Sequence, residues 1–317
     1  METGTSLLQG IRITDHSSDY DAACKRLLSE KVILAWIMKN CLEEYRDCTI
    51  ADIMENYIEG EPQVGEVPVS PDETNAALSG SLIQGSRTED KTLTEGTVTY
   101  DIRFDATAPK SGDLLRMIIN VEAQADFYPG YPLVKRGLYY CSRMISSQYG
   151  TVFTASHYER IKKVVSIWVC LNPPKYRENT ITEYSITEKS LVGAVKEAEE
   201  NYDLMSAIMI CLGKPDSENY NGILKLLEVL LSSGRTPEEK VKILQEDFEI
   251  AMTASLEREV SLMCNLSKGI IEQTTERTQL DAIRNLMETM KLTVWQAMEA
   301  LKIPKDDQSK YASMLKK

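Results

Sequence analysis

Two carboxylates and one amide are brought to a single point by the strand spacing of this sequence. Residues 97–124 are predicted to form a β-hairpin, because apolar and polar side chains alternate on both sides of a turn signal. If Ser111 and Gly112 form a two-residue turn, the numbers of directly opposed residues sum to 223, and Asp101 lies opposite Glu122. Gln124 shares the face of Glu122 because side chains alternate along a strand.

Carboxylates that face each other need compensation. Like charges directly opposed in a ladder are destabilising, so the pair requires either a nearby cation or a protonated member. Mg²⁺ suits this role because it is commonly bound through one or two carboxylates and keeps several waters. The alternative is an ordinary solvated hairpin face on which Arg103 and Arg116 offset the acids. Under the metal hypothesis, removal of one charge as in Asp101→Asn is expected to leave the metal-free protein equally or more stable.

Three motifs resemble the PD-(D/E)XK nuclease superfamily, and more closely its bacterial recombination-promoting nuclease and putative transposase branch. They are Y-D-I-R-F at residues 100–104, I-N-V-E-A-Q at 119–124, and Y-P-G-Y-P-L-V-K-R-G-L-Y-Y-C-S-R-M-I-S-S-Q-Y-G at 128–150. The resemblance extends over residues 29–174. It implies that Asp101 and Glu122 are metal ligands in a restriction-endonuclease-like core, and the backbone carbonyl of Ala123 is a further candidate ligand.

The sequence departs from that pattern at Gln124, where the superfamily has its name-giving lysine. A lysine can polarise the attacking water through its charge, whereas Gln124 can only orient the water by hydrogen bonds. Lys135 and Arg136, at the start of the following helix, are the candidates for a compensating cation and for contact with substrate phosphate. Arg136 and Tyr140 share a helical face. The alternative is that this face is a solvated basic surface.

The remaining pattern predicts an α/β (α+β) fold with a mixed sheet flanked by helices and an all-helical C-terminal region. The order of elements is α-β-β-β-α-β, which is the order of the superfamily core. We expect a nuclease-like domain at residues 1–215 and a helical region at 216–317. The predicted elements are helices at 20–46, 50–58 and 131–149, a loop at 59–80, a first strand near 91–94, a buried strand at 164–171, and strands at 181–186 and 204–212.

Composition favours a folded protein that remains in the cytoplasm. Of the 317 residues 43% are apolar, yet no run is long enough to span a membrane, and the N-terminus lacks a secretory signal. The seven cysteines form no CxxC pair and are expected to be reduced. The net charge of −12 argues against nucleic acid as a partner, but residues 97–170 carry 9 basic and 6 acidic side chains, so the basic excess coincides with the hairpin.

These observations predict a DNA endonuclease that uses a metal-activated water, with Mg²⁺ or alternatively Mn²⁺ and no small-molecule cofactor. Such a hydrolase would act in DNA recombination or transposition, as the resemblance implies, and a homodimer would serve double-strand cleavage. The alternative is a catalytically inactive protein with the same fold that binds protein or nucleic acid. Nucleophile elbows, phosphate-binding P-loops and dinucleotide fingerprints are absent from the sequence.

Overall fold

The computed structural model describes residues 18–65, 89–92, 96–109, 114–215, 217, 219–232 and 234–315. The strands are β1 (Ile58–Val64), β2 (Glu89–Thr92), β3 (Gly96–Thr99), β4 (Ile102–Pro109), β5 (Leu114–Asp126), β6 (Lys163–Asn172), β7 (Thr180–Ser185) and β8 (Met205–Cys211). The longer helices are α1 (residues 18–29), α2 (Lys31–Cys41), α3 (Leu133–Ser146), α4 (Gly222–Leu231), α5 (Pro237–Phe248), α6 (Ala254–Met290), α7 (Val294–Ala300) and α8 (Lys305–Leu315).

Six strands form one mixed sheet in the order β1-β4-β5-β6-β8-β7. β1, β4 and β5 are antiparallel neighbours, whereas β5, β6 and β8 run parallel, and β7 returns antiparallel to β8. β2 and β3 pair separately as a two-stranded sheet. Along the chain, α2, β1, β4, β5, α3 and β6 occur in the order helix, three strands, helix and strand, but the first of these strands is β1 and not the predicted strand near 91–94, and β2 and β3 lie between β1 and β4.

Helix α3 crosses one face of the parallel strands and packs closely on them. Its buried residues include Tyr140 and Met144, which join Trp168 of β6 and Met209 of β8 in one apolar cluster. Gly137 lies at the point of closest approach, because a Cβ there would lie 3.1 Å from both Met209 Cε and Trp168 Nε1. This close packing fixes the position of α3 against β6 and β8.

Several predicted elements are confirmed. The apolar run at 164–171 is β6, and its residues from Lys163 to Cys170 are buried, as expected for a strand with neighbours on both sides. The predicted helix at 131–149 is α3, and the strands predicted at 181–186 and 204–212 are β7 and β8. The helix predicted at 50–58 is present as Ile50–Asp52 and Ile53–Tyr57, after a capping box at Thr49.

The predicted hairpin register is confirmed, although its first strand is not continuous. β4 and β5 pair from Ile102 opposite Val121 to Pro109 opposite Leu114, and every pair sums to 223. The turn at Ser111 and Gly112 lies outside the described residues. The single strand predicted from residue 97 is wrong, because the chain leaves β3 after Thr99 and enters the large sheet at residue 102.

Three further predictions are corrected. The helix predicted at 20–46 is broken at Glu30, whose extended backbone (ψ 126°) separates α1 from α2. The loop predicted at 59–80 is wrong at its beginning, where β1 forms the sheet edge; residues 66–80 lie outside the described part. Pro62 is tolerated at an edge, and the register shift between Glu59 and Gln63 accommodates Gly60 at φ 66°. The strand near 91–94 exists as β2 but pairs with β3 outside the large sheet.

By internal contacts the chain divides into a unit of residues 20–264 and a unit that includes residues 265–315. The larger unit contains the whole sheet. The smaller unit is helical, as predicted for the C-terminal region, with a core of Ile283, Ala297, Met298, Ile303, Tyr311 and Ala312. The predicted boundary between residues 215 and 216 stays a prediction. In the part of the chain that the structure describes, no helix is both long and apolar enough to cross a bilayer.

Candidate functional site

Asp101 and Glu122 lie side by side where β4 begins, and each carboxylate binds the backbone of the opposite segment. The Asp101 N–H donates to Oε1 of Glu122 at 3.0 Å, and the Ala123 N–H donates to Oδ2 of Asp101 at 3.0 Å. The backbone ladder ends at Ile102 and Val121, so these two side chains continue the pairing beyond it. The structure therefore brings the two predicted acids together, while their role as metal ligands stays a prediction.

The cation beside Asp101 is Lys25 of α1. Its ammonium lies 2.9 Å from Oδ1 of Asp101 and 2.6 Å from Oδ2 of Asp21. The Lys25 side chain is only 5% exposed and that of Asp101 14%, so the ion pair is largely withdrawn from water. Sequence reasoning missed Lys25. The one signal, the spacing of Asp21 and Lys25 by four residues in a helix, is typical of a solvent-exposed pair.

Arg136 is the second cation, and it is packed among aromatic rings. Its guanidinium donates to the Tyr140 hydroxyl from Nη2 at 2.7 Å and from Nε at 3.1 Å, and to the Tyr131 hydroxyl from Nη1 at 2.9 Å. Its Cζ lies 5.1 Å from the centroid of the Tyr140 ring and 5.2 Å from that of Trp168. Arg136 is thus held in place by α3 and β6, whereas Lys135 next to it is exposed.

Gln124 lies on β5 two residues beyond Glu122 and is half-buried. Its Nε2 donates to the carbonyl of Asp126 at 2.6 Å, and this hydrogen bond orients the side-chain amide of Gln124 toward the carboxyl end of β5. No hydrogen bond within the described residues joins Gln124 to Asp101 or Glu122. Its assignment as the group that orients water stays a prediction.

Other acids of the N-terminal helical segments have different partners or positions. Glu43 pairs with Arg46 at 3.3 Å, and Glu44 accepts from Lys163 at 2.6 Å, at the amino end of β6. Glu30 occupies the break between α1 and α2. The acid that the first helix contributes near Asp101 is Asp21, through Lys25.

Burial and mutual repulsion disfavour two negative charges at this site. Burial, followed by the negative charge of Asp101, raises the pKa of Glu122 well above its ordinary value, and the Arg136 charge offsets only part of this. Burial also raises the pKa of Asp101, although Lys25 opposes the shift. For Lys25 itself, burial lowers the pKa, but Asp101 and Asp21 together raise it above the ordinary value. The lysine is therefore charged at neutral pH, and Glu122 binds a proton more readily than a free carboxyl.

The donor atoms fit a hard divalent cation in kind. Asp101 and Glu122 supply carboxylate oxygens, and Asn120, whose Nδ2 donates to Glu122 Oε1 at 2.8 Å, has a buried Oδ1 with no hydrogen-bond partner among the described residues. The N–H and C=O of one strand residue point to the same side, so the Ala123 carbonyl is directed toward Asp101. Lys25 nevertheless holds one oxygen of Asp101, and no group of three or more acidic, His or Cys side chains in the described ranges is arranged as a metal site.

Comparison of the chain with models of protein families, with curated proteins and with solved structures found no match. The functional interpretation therefore depends on the geometry of the site and on the sequence motifs that surround it.

Proposed function

We propose that this protein is a Mg²⁺-dependent endonuclease that hydrolyses phosphodiester bonds in DNA, of the PD-(D/E)XK type that its motifs resemble. The observation that carries the proposal is that Asp101 and Glu122 lie side by side at the start of β4, where each carboxylate accepts a 3.0 Å hydrogen bond from the backbone N–H of the opposite segment. A site for phosphoryl transfer needs oxygen ligands and fixed cations at one point. Asp101, Glu122, Lys25 and Arg136 supply both.

Each side chain has a task that follows from its position. Asp101 and Glu122 would hold the cation, together with the Ala123 carbonyl, and their hydrogen bonds to backbone N–H groups position both carboxylates. A bound Mg²⁺ or Mn²⁺ would activate water and offset charge on the phosphate. Gln124 orients that water through its amide oxygen, since its Nε2 is engaged by Asp126. Lys25 supplies the positive charge that the lysine of the E-x-K motif would otherwise provide.

Incubation of the purified protein with supercoiled plasmid, in Mg²⁺, in Mn²⁺ and in EDTA, tests the proposal. We expect nicking that requires the metal and is abolished by Glu122→Gln. Asp105→Asn is the matched control, because Asp105 lies on β4, opposite Ile118 of β5, and pairs with Lys162 at 2.9 Å. This control should cleave like the wild type. Cleavage that survives Glu122→Gln, or that EDTA does not affect, contradicts the assignment.

A second candidate is a non-enzymatic binding protein that keeps the same fold. The specific observation in its favour is the ion pair between the Lys25 ammonium and Asp101. A bound metal would compete with this ammonium for the same carboxylate. Absence of nicking on plasmid, single-stranded DNA and RNA with both metals supports this candidate. We further propose that the active form is a homodimer if both strands are cut, which size-exclusion chromatography coupled to light scattering would measure.

A further inference from the structure

Two exposed tyrosines and an arginine form a surface at the carboxyl ends of β5 and β6. We call Phe127, Tyr128, Tyr176 and Arg177 the aromatic platform. The Tyr128 side chain is 57% exposed and that of Tyr176 71%, which is unusual for two large rings in contact with each other. Neither tyrosine is a member of the apolar cluster that contains Phe127.

The rings of the aromatic platform are held in place by contacts with one another. The hydroxyl groups of Tyr128 and Tyr176 lie 2.6 Å apart, within hydrogen-bond distance. The Tyr128 ring stands perpendicular to the buried Phe127 ring at a centroid distance of 5.1 Å. Arg177 Cζ lies 5.3 Å from the Phe127 centroid and 5.6 Å from the Tyr176 centroid. The exposed ring faces are therefore positioned before any ligand arrives.

The aromatic platform lies at the same edge of the sheet as the candidate site. β5 and β6 are parallel, with Asp126 opposite Asn172, so their carboxyl ends meet at one edge. The Asn172 amide donates to the Ala125 carbonyl at 3.1 Å and fastens the two strand ends together. Gln124, the predicted water-orienting residue, binds the Asp126 carbonyl directly before Phe127. In open sheets with parallel strands, ligands bind at this edge.

Basic side chains lie around the rings, together with the carboxylate of Asp126, whose Oδ1 accepts from the Tyr128 N–H at 2.9 Å. Arg177 is part of the aromatic platform. Lys175 precedes it by two residues, Lys214 follows the end of β8, and both lysines are exposed. Lys214 is fixed nearby, because its carbonyl accepts from Asn179 Nδ2 at 2.9 Å. Exposed aromatic faces interleaved with cations are the arrangement that binds unpaired nucleobases and the phosphates between them.

We propose that the aromatic platform binds unpaired nucleobases, so that the substrate of this site is a single-stranded nucleic acid or an unpaired segment. The substrate assignment rests on the proposed nuclease function, whereas the binding itself does not. Ring faces stack on bases only where those bases are not already stacked in a duplex, which makes double-stranded DNA the poorer ligand. The candidate carboxylates would then act on the backbone of the strand that the tyrosines hold.

Fluorescence anisotropy with a labelled oligothymidylate of about 12 nucleotides, in EDTA and low salt, tests the proposal because binding is then measured without cleavage. We expect the double variant Tyr128→Leu/Tyr176→Leu to raise Kd about tenfold or more, which is about 1.4 kcal/mol. The double Phe variant keeps the rings and should bind within about threefold of wild type. Tyr149→Leu/Tyr158→Leu is the matched control, since these rings are 62% and 63% exposed but precede the amino end of β6.

Two results would overturn the inference: equal Kd values for the Leu variant and the wild type, or a duplex of the same length that binds as tightly as the single strand. Parallel titrations with oligouridylate distinguish RNA from DNA as the source of the bases. A protein that binds through the aromatic platform but cleaves nothing contradicts the proposed function alone. A protein that cleaves while the Leu variant binds normally contradicts this inference alone.

Discussion

Replacement of Lys25 by Met tests whether this lysine compensates the candidate site. Met keeps the apolar stem and removes the ammonium, which leaves Asp101 and Asp21 without their shared partner. Removal of one member of a buried ion pair typically costs about 3–5 kcal/mol. Asp21 is 33% exposed and Asp101 14%, so water can solvate part of the released charge. We therefore expect a loss of about 2–3 kcal/mol in the free energy of unfolding.

Urea denaturation at pH 7.5 in EDTA, followed by tryptophan fluorescence, measures this loss. Asp101→Asn and the double variant Lys25→Met/Asp101→Asn complete a double-mutant cycle. Sequence alone predicts that Asp101→Asn is neutral or stabilising, but the pairing with Lys25 reverses that expectation to a cost of about 1 kcal/mol or more. The double variant should lose less than the sum of the single changes, with a coupling of about 1–2 kcal/mol.

Arg26→Met is the matched control on the same helix. Arg26 pairs with Glu259 at 2.8 Å, but its side chain is 44% exposed, and such surface pairs contribute about 0–1 kcal/mol. Additive effects in the cycle, or a Lys25→Met variant as stable as Arg26→Met, would refute the compensating role of Lys25. If Mg²⁺ binds at Asp101 and Glu122, it should raise the melting temperature of Lys25→Met more than that of the wild type, because the metal then replaces a missing cation.

Three further predictions follow from the pKa of Glu122, the packing of α3 and the capping of α5. The pKa of Glu122 is higher in the folded protein than in the unfolded chain. The contribution of Glu122 to the free energy of unfolding is therefore largest below the pKa that Glu122 has in the unfolded chain, and it decreases as the pH rises through the pKa that Glu122 has in the folded protein. Glu122→Gln should thus exceed the wild type in stability at pH 8 in EDTA, with a difference that disappears toward pH 4.5, as urea melts across this range would show. Gly137→Ala should cost about 1–3 kcal/mol in the same assay, since its Cβ would meet Trp168 and Met209 at 3.1 Å. Thr236→Ala removes the capping box with Glu239 and should cost about 1 kcal/mol, with unchanged plasmid cleavage.

Local pattern was sufficient to predict the centre of the sheet. The register of β4 and β5 follows from the alternation of apolar and polar residues and from one short turn. The continuous apolar run of β6 is favourable only where both faces of the strand are buried. The edge strand β1 escaped prediction because Gly60 and Pro62 are turn residues in most contexts. The break between β3 and β4 at Tyr100 and Asp101 was not predicted either, because apolar and polar residues alternate in the same phase before and after it.

The acids of the candidate site were predictable, but the cation was not. Asp101 and Glu122 are related by a register that the sequence encodes locally. Lys25 comes from α1, and no spacing in the sequence reveals that this helix packs its lysine against the start of β4. Its burial depends on tertiary packing, whereas sequence periodicity reports only the face of a helix.

The hydrogen bonds that Asp101 and Glu122 accept from the backbone have a consequence for the entropy of ligand binding. A carboxylate on a free side chain loses rotational freedom when it is ordered by a ligand, and this loss weakens association. Here the Asp101 N–H donates to Glu122 and the Ala123 N–H donates to Asp101 in the folded protein, and these hydrogen bonds restrict the rotation of both side chains. Part of the conformational cost is therefore met during folding, and under the proposed function a cation would bind carboxylates that are already ordered.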